Sequence, residues 1–225
     1  MDSIIYVLFI CVVAPLLLML PLLKKRSKLT LGFMILGIVF ALFISEVNSI
    51  LLGIFDNQSW YVTTTITPLT EEFIKALPIL FYAFVFSDNK RKLFILSFAT
   101  GIGFGLFENT VVLVQSLMRD VESVSIGWAL IRGFSTALMH GVCTCAVGYG
   151  ISFVKKRRKL FYCGTFSLLV LATIYHGIYN MLVQSDYKMF GFILPIITYL
   201  PILIQQLLFL KNHSGKNKSE ANLNE

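Results

Sequence analysis

Two adjacent glutamates and a lysine interrupt an otherwise apolar stretch of the sequence, PLTEEFIKALPIL. A charged group in the middle of a membrane helix costs about 2.5–3.5 kcal/mol, so this group suggests a function. Lys75 follows Glu71 by four residues and Glu72 by three, which places all three on one helical face. Lys75 could keep one carboxylate ionised while the other takes a proton from water, as the general base of a hydrolase does.

The next three apolar stretches carry further polar residues: Glu108, His140 and the motif HGIYN. In that motif His176 and Asn180 lie one helical turn apart, and an imidazole or an amide could stabilise the oxyanion of a tetrahedral intermediate. Arg132 shares a helical stripe with His140 and could support the site. The predicted catalytic residues are Glu71, Glu72, Glu108, His140, His176 and Asn180, with Lys75 and Arg132 in supporting roles.

The same residue types could bind a metal ion. Glutamate and histidine are zinc ligands, and a catalytic zinc site keeps one position open for water. The corresponding ligand set comprises Glu72, Glu108, His140 and His176. The sequence contains no HExxH motif, so the familiar zinc-binding helix is absent. The residues themselves do not require a cofactor, and zinc or another divalent metal stays open.

Purely structural interpretations of these residues also stay open. Thr67 and Pro68 have the form of a helix N-terminus, where the helix dipole would favour Glu71 and Glu72 in the first turns. The histidines could instead join helices by hydrogen bonds.

The composition describes the elements that must position these residues. Of 225 residues, 56% are hydrophobic and only 14% are charged, with a mean hydropathy of +0.78, whereas soluble domains carry about 25% charge. Seven apolar segments are long enough to span a membrane. They lie near 4–23, 29–52, 64–87, 93–117, 126–154, 160–184 and 190–210. We therefore predict an all-α polytopic membrane protein with about seven transmembrane helices, forming a single transmembrane domain over 1–210 and a disordered cytoplasmic tail over 211–225.

Basic residues are concentrated after the first, third and fifth segments and in the tail. They are Lys24, Lys25, Arg26, Lys28, Lys90, Arg91, Lys92, Lys155, Lys156, Arg157, Arg158, Lys159, Lys211, Lys216 and Lys218. The positive-inside rule then places the N-terminus outside and the C-terminus in the cytoplasm. Because basic residues follow the first segment rather than precede it, we expect an uncleaved anchor and not a signal peptide. Topology accounts for the net charge of +7, so no nucleic-acid partner is predicted.

This orientation predicts a common depth for four of the polar residues. Glu72, Glu108, His140 and His176 each lie 14–16 residues from the cytoplasmic end of their segments. At about 1.5 Å per residue, that is roughly 20–25 Å from the cytoplasmic face. Segments three to six are therefore expected to form a four-helix catalytic core over about 64–184. Glu46 and Asn48 reach a similar height, either at the outer interface or in support of the site.

The order of the motifs resembles the PrsW group of intramembrane proteases, within the wider superfamily of CAAX prenyl endopeptidases and bacteriocin-processing enzymes. The motifs are EExxK over 71–75, FxxxE over 104–108, His140, and HxxxN over 176–180. The resemblance implies that one glutamate of the pair activates water and that His176 with Asn180 stabilises the oxyanion. Lys75 stands where the CAAX branch has an arginine one position later, which argues against prenyl-protein substrates.

The resemblance also implies a substrate and a location. The expected reaction is cleavage of a single-pass anti-sigma factor near the extracytoplasmic face of the bacterial cell membrane, in a stress response. A proton-coupled transporter or channel could use the same buried Glu and His residues, although no inverted repeat is visible. A non-catalytic scaffold that binds transmembrane partners is the other alternative.

Overall fold

The structure is a computed structural model that describes residues 2–20, 27–55, 58–120, 124–157 and 160–221. Within these ranges the chain forms seven helices and no strand. The helices are α1 (2–17), α2 (Ser27–Ile54), α3 (59–85), α4 (Lys90–Arg119), α5 (Ile126–Val154), α6 (Phe161–Val183) and α7 (Lys188–Ala221). The prediction of an all-α chain with about seven helices is therefore confirmed.

Four of the described helices, α2, α4, α5 and α6, are long and apolar enough to cross a membrane. Helix α3 carries Glu71, Glu72 and Lys75, and the apolar parts of α1 and α7 are shorter, at Ile4–Leu17 and Lys188–Ile204. These helices indicate a multi-pass membrane protein. The orientation with the N-terminus outside stays a prediction. Of the basic residues on which it depends, 24–26 and 158–159 lie outside the described residues.

The C-terminal helix extends further than the sequence indicates. A disordered tail is predicted from residue 211, whereas helix α7 continues to Ala221. Residues 211–221 lack the apolar side chains of a packed helix, but lysine, glutamate and alanine are good helix formers and can extend a helix that has already begun. Residues 222–225 lie outside the described residues.

Helix α3 begins eight residues before the predicted start at Thr67 and Pro68, so that structural interpretation is wrong. The helix starts at Ser59 and passes through a π-helical turn at Val62–Ile66. The N–H of Thr67 donates to the carbonyl of Val62, five residues back, and Pro68 has no N–H. The proline therefore belongs to a change of helical pitch and not to a helix start.

Helix α4 lies at the centre of the bundle, between α2 and α5, and glycines allow the close approach. A Cβ at Gly105 would lie 2.7 Å from the Cα of Ala137 on α5, and a Cβ at Gly103 would meet the backbone of Met34 on α2. Small residues are what lets membrane helices pack this closely. The largest fully buried apolar side chains around α4 include Ile79, Leu93, Phe98, Ile102, Leu138 and Ile151.

The bundle has two halves of different chemistry. The apolar half is the end at which α3 and α5 end while α4 and α6 begin. There, the rings of Phe84 and Phe161 lie 5.0 Å apart, and Lys155 donates to the carbonyl of Ala83. The polar half is the opposite end of the same four helices, and it contains the charged residues and histidines singled out above.

Candidate active site

Four helices contribute charged or imidazole side chains to one cluster in the polar half. They are Glu71, Glu72 and Lys75 from α3, Glu108 from α4, Arg132 and His140 from α5, and His176 from α6. Lys75 and His140 are 0% exposed, and Glu72 is 1% exposed. Charges at such burial must be paired.

Lys75 joins the glutamate pair to the first histidine. Its Nζ lies 2.5 Å from Oε1 of Glu72 and 2.8 Å from Nδ1 of His140. An ammonium group only donates, so Nδ1 of His140 accepts and the proton of the ring lies on Nε2. That nitrogen lies 2.6 Å from Oε2 of Glu108, to which it donates. The lysine and Glu108 together fix the tautomer of His140.

Glu72 performs the same function for the second histidine. Its Oε1 lies 2.9 Å from Nδ1 of His176. Because the carboxylate accepts, the ring proton lies on Nδ1, and the lone pair lies on Nε2. A carboxylate behind an imidazole is the common arrangement that orients a histidine towards a metal or a substrate.

Glu71 faces both histidines from a different direction. Its Oε1 accepts from Nδ2 of Asn48 at 3.3 Å. Its Oε2 is buried and has no hydrogen-bond partner among the described residues, as is also true of Oε2 of Glu72, so the position of the Glu71 oxygen is what distinguishes it. This oxygen lies 4.0 Å from Nδ1 of His140 and 3.9 Å from Nε2 of His176. A buried acceptor without a partner loses about 1–3 kcal/mol, so its position suggests that it serves a ligand.

The donor atoms of Glu71, His140 and His176 fit a divalent metal ion. All three lie within 4.8 Å of one another, and one carboxylate with two imidazoles is a known ligand set of catalytic zinc. Glu72 and Glu108, which the sequence also offered as ligands, instead hydrogen-bond to the far side of each imidazole. The geometry thus favours Glu71 as the carboxylate ligand. A metal ion here would compete with Lys75 for the lone pair on Nδ1 of His140.

Arg132 pairs with the glutamate that orients His140. Its Nη2 donates to Oε1 of Glu108 at 2.8 Å, and its Nη1 lies 3.4 Å from Oγ1 of Thr136. The two charged side chains are 29% and 25% exposed, so they form the more open edge of the cluster. A cavity of about 230 Å³ lies at this edge, and its lining includes Thr63, Glu71, Glu108, Arg132, His176 and Asn180.

Asn180 contacts the backbone of α3. Its Nδ2 donates to the carbonyl of Thr63 at 2.8 Å. That carbonyl lies in the π-helical turn, where the N–H of Thr67 bonds to Val62 instead, and Pro68 has no N–H to offer. The amide of Asn180 therefore satisfies a carbonyl that the turn leaves without a helical donor.

Tyr179, which the sequence analysis did not single out, has the equivalent contact with α5. Helix α5 has a π-helical turn at Ala129–Phe134, in which the N–H of Ser135 donates to the carbonyl of Leu130. The hydroxyl of Tyr179 donates to the neighbouring carbonyl of Ile131 at 3.1 Å and lies 2.7 Å from Oγ of Ser135. Its place in HGIYN, between His176 and Asn180, was the available signal.

The comparison with known families covers most of the chain. A model described as PrsW family intramembrane metalloprotease matches residues 25–206, a range that contains all the residues of the cluster. No curated protein and no solved structure matches the chain.

Proposed function

Because the chain belongs to the PrsW family of intramembrane metalloproteases, we propose that Glu71, His140 and His176 form its catalytic centre and hold a divalent metal ion. That the chain is an intramembrane protease follows from the family itself. The observation that supports this centre is the buried Oε2 of Glu71, which lacks a hydrogen-bond partner among the described residues and faces a nitrogen of each histidine.

The chain's own residues prepare this centre for hydrolysis. When bound, a divalent ion such as zinc supplies Lewis-acid polarisation of water and of the peptide carbonyl. Glu72 and Glu108 hold the two imidazoles in the tautomers that turn one lone pair of each towards the centre. Lys75 balances the charge of Glu72. Two roles suit Glu71, that of a metal ligand and that of a proton acceptor, and both would use Oε2. The description of the family as metalloproteases favours the ligand role.

Two further residues act at the edge of the centre. Arg132 lines the cavity beside Glu71, where a guanidinium can donate to a developing oxyanion. The oxyanion role that the resemblance implies for Asn180 stays a prediction. We assign Asn180 an additional positioning role, because its bond to the Thr63 carbonyl fixes the turn of α3 that precedes Glu71 and Glu72.

The proposed substrate is a single-pass membrane protein, and an anti-sigma factor is the candidate that the family resemblance favours. We propose that the cut falls near the extracytoplasmic face of a bacterial cell membrane. In support, the cluster lies in the polar half, whereas Lys90 and Lys155 lie at the other end of the bundle, which the positive-inside rule assigns to the cytoplasm. Family membership supports neither the transporter nor the scaffold alternative.

The decisive experiment combines metal analysis with substrate cleavage. Wild-type protein purified without chelator should contain about one zinc or other divalent ion per chain, and Glu71→Gln should contain much less. New protein termini in membranes that express the wild type should disappear with Glu71→Gln and persist with Asp88→Asn, a control carboxylate in an exposed loop. Equal cleavage by wild type and Glu71→Gln would refute the assigned centre. Full cleavage by metal-free protein would refute the metal ion but not the assigned residues.

A further inference from the structure

A groove of about 470 Å³ lies between α2 and α4, with residues of α3 also in its lining, and its inner end reaches the candidate centre. Glu71 and Glu108 line that end. Asn48 of α2 also lines the groove, and it donates to Oε1 of Glu71. The groove is therefore continuous with the centre that the preceding section proposes, and the inference below rests on that proposal.

The wall contributed by α2 contains a polar stretch, flanked by Ala41, Ile44 and Leu52, where a membrane helix is normally apolar. Ser45, Asn48 and Ser49 lie on one face of α2 and line the groove together with Glu46. Ser45, Glu46 and Ser49 are exposed. Elsewhere α2 is strongly apolar, and only 17% of its most apolar stretch is buried in the bundle. Exposed polar side chains at this depth are costly in lipid unless something polar meets them.

The opposite wall has a different character. Phe104, Phe107, Val111 and Val112 of α4 line it, and Gln115 adds an amide near its end. The groove thus pairs a row of hydroxyl and amide groups with an apolar surface. One wall can form hydrogen bonds to a peptide backbone while the other packs against side chains.

The occupant that needs both walls is an unwound peptide in a membrane. A transmembrane helix satisfies its own backbone hydrogen bonds, whereas an extended stretch must find outside partners for each N–H and C=O. A protease needs the extended form, because the scissile carbonyl must be free of the helical hydrogen bond. We propose that the groove between α2 and α4 admits a locally unwound stretch of a single-pass transmembrane segment and leads it to Glu71.

The first test is the accessibility of the groove to water, in full-length protein held in lipid nanodiscs. The exposed Cys163 is first replaced by serine, since Cys11, Cys143 and Cys145 are buried. A charged methanethiosulfonate reagent should label Ser49→Cys about tenfold faster than Ile50→Cys, a control that is 63% exposed at the same height of the helix but does not line the groove. Equal, slow labelling at both positions would refute a hydrated groove.

The second test uses two synthetic transmembrane peptides as probes. One is an uninterrupted leucine–alanine helix, and the other carries a central Gly-Asn-Gly-Ser break. The interrupted peptide should slow the labelling of Ser49→Cys at least about threefold, and the uninterrupted helix should not. Protection by neither peptide, or equal protection by both, would overturn the proposal.

The two proposals fail separately. His176→Gln should leave the peptide protection of Ser49→Cys unchanged, because His176 belongs to the proposed centre and does not line the groove. Protection without any loss of cleavage in Glu71→Gln would keep the groove and refute the centre. If Glu71→Gln abolishes cleavage but the interrupted peptide does not protect Ser49→Cys, the centre stands and the groove is refuted.

Discussion

The two halves of the bundle are built from the same four helices but use different means of holding together. In the apolar half the helices are regular, and close contacts between side chains such as Ile79, Leu93 and Ile151 fill the interior. In the polar half α3 and α5 each contain a π-helical turn, at Val62–Ile66 and Ala129–Phe134, and helix α1, which packs against the turn of α5, contains a third at Phe9–Val13. Such turns are rare in proteins as a whole, and those that occur often lie at functional sites.

The difference teaches that a polar site in a membrane alters the backbone as well as the side chains. Each π-helical turn rearranges carbonyls that water cannot reach in lipid, so neighbouring side chains bond to them. Asn180 bonds to Thr63, and Tyr179 bonds to Ile131. Asn109, next to Glu108, donates to the carbonyl of Gly133 at 2.7 Å. The residues that hold the turns therefore lie within about one helical turn of the cluster residues along the chain.

The largest effect should come from removing the fully buried cation of the polar half, Lys75. Lys75→Met leaves the buried carboxylate of Glu72 without its cation, although His176 still donates to it, and should lower the free energy of unfolding by about 3–5 kcal/mol. The measurement is a urea or SDS titration in mixed micelles. Lys90→Met, at the opposite end of the bundle, should lower it by less than about 1 kcal/mol.

A double variant sharpens the same prediction. Lys75→Met with Glu72→Gln removes both charges, so most of the lost stability should return while cleavage stays impaired. If Lys75→Met is as stable as the wild type, the polar half does not depend on its buried ion pair.

A substitution in the apolar half should change the free energy of unfolding but not the activity of the folded protein. Ile79→Ala removes a side chain that is 0% exposed and should cost about 2–4 kcal/mol through the cavity it leaves. The metal content and the cleavage rate per folded molecule should not change. Phe81→Ala on the same helix, whose side chain is 61% exposed, serves as the matched control, with an expected loss near 0.5 kcal/mol or less. A selective loss of metal in Ile79→Ala would contradict the separation of the two halves.

The smallest effect should come from a single hydroxyl between α5 and α6. Tyr179→Phe leaves the Ile131 carbonyl without one of its donors and should cost about 1–2 kcal/mol. Because the turn precedes His140, the cleavage rate should also fall severalfold at unchanged metal content. Tyr162→Phe, whose side chain is 82% exposed, should change neither quantity. Identical rates for Tyr179→Phe and the wild type would show that the turn does not position the site.

The sequence predicts the helices and the composition of the cluster better than the role of each member. Apolar segments of sufficient length identify the seven helices, and charged residues within them identify the cluster. The sequence spacing of Lys75 suits both Glu71 and Glu72, so only the side-chain conformations place its ion pair on Glu72. The π-helical turns have no simple sequence signal, which is why Pro68 is mistaken for a helix start. Tyr179 has the appearance of a packing residue in a chain rich in aromatic residues.

The hydrogen bond between Lys75 and His140 bears on how the enzyme is made. Because Lys75, Glu72 and Glu108 already bond to three of the four imidazole nitrogens, we expect the chain to insert and fold without a metal ion. If the proposed centre holds a metal ion, newly synthesised chains should be fully folded in the bilayer but inactive before that ion binds. Removing the ion with a chelator should then abolish cleavage without lowering the amount of the protein in the membrane.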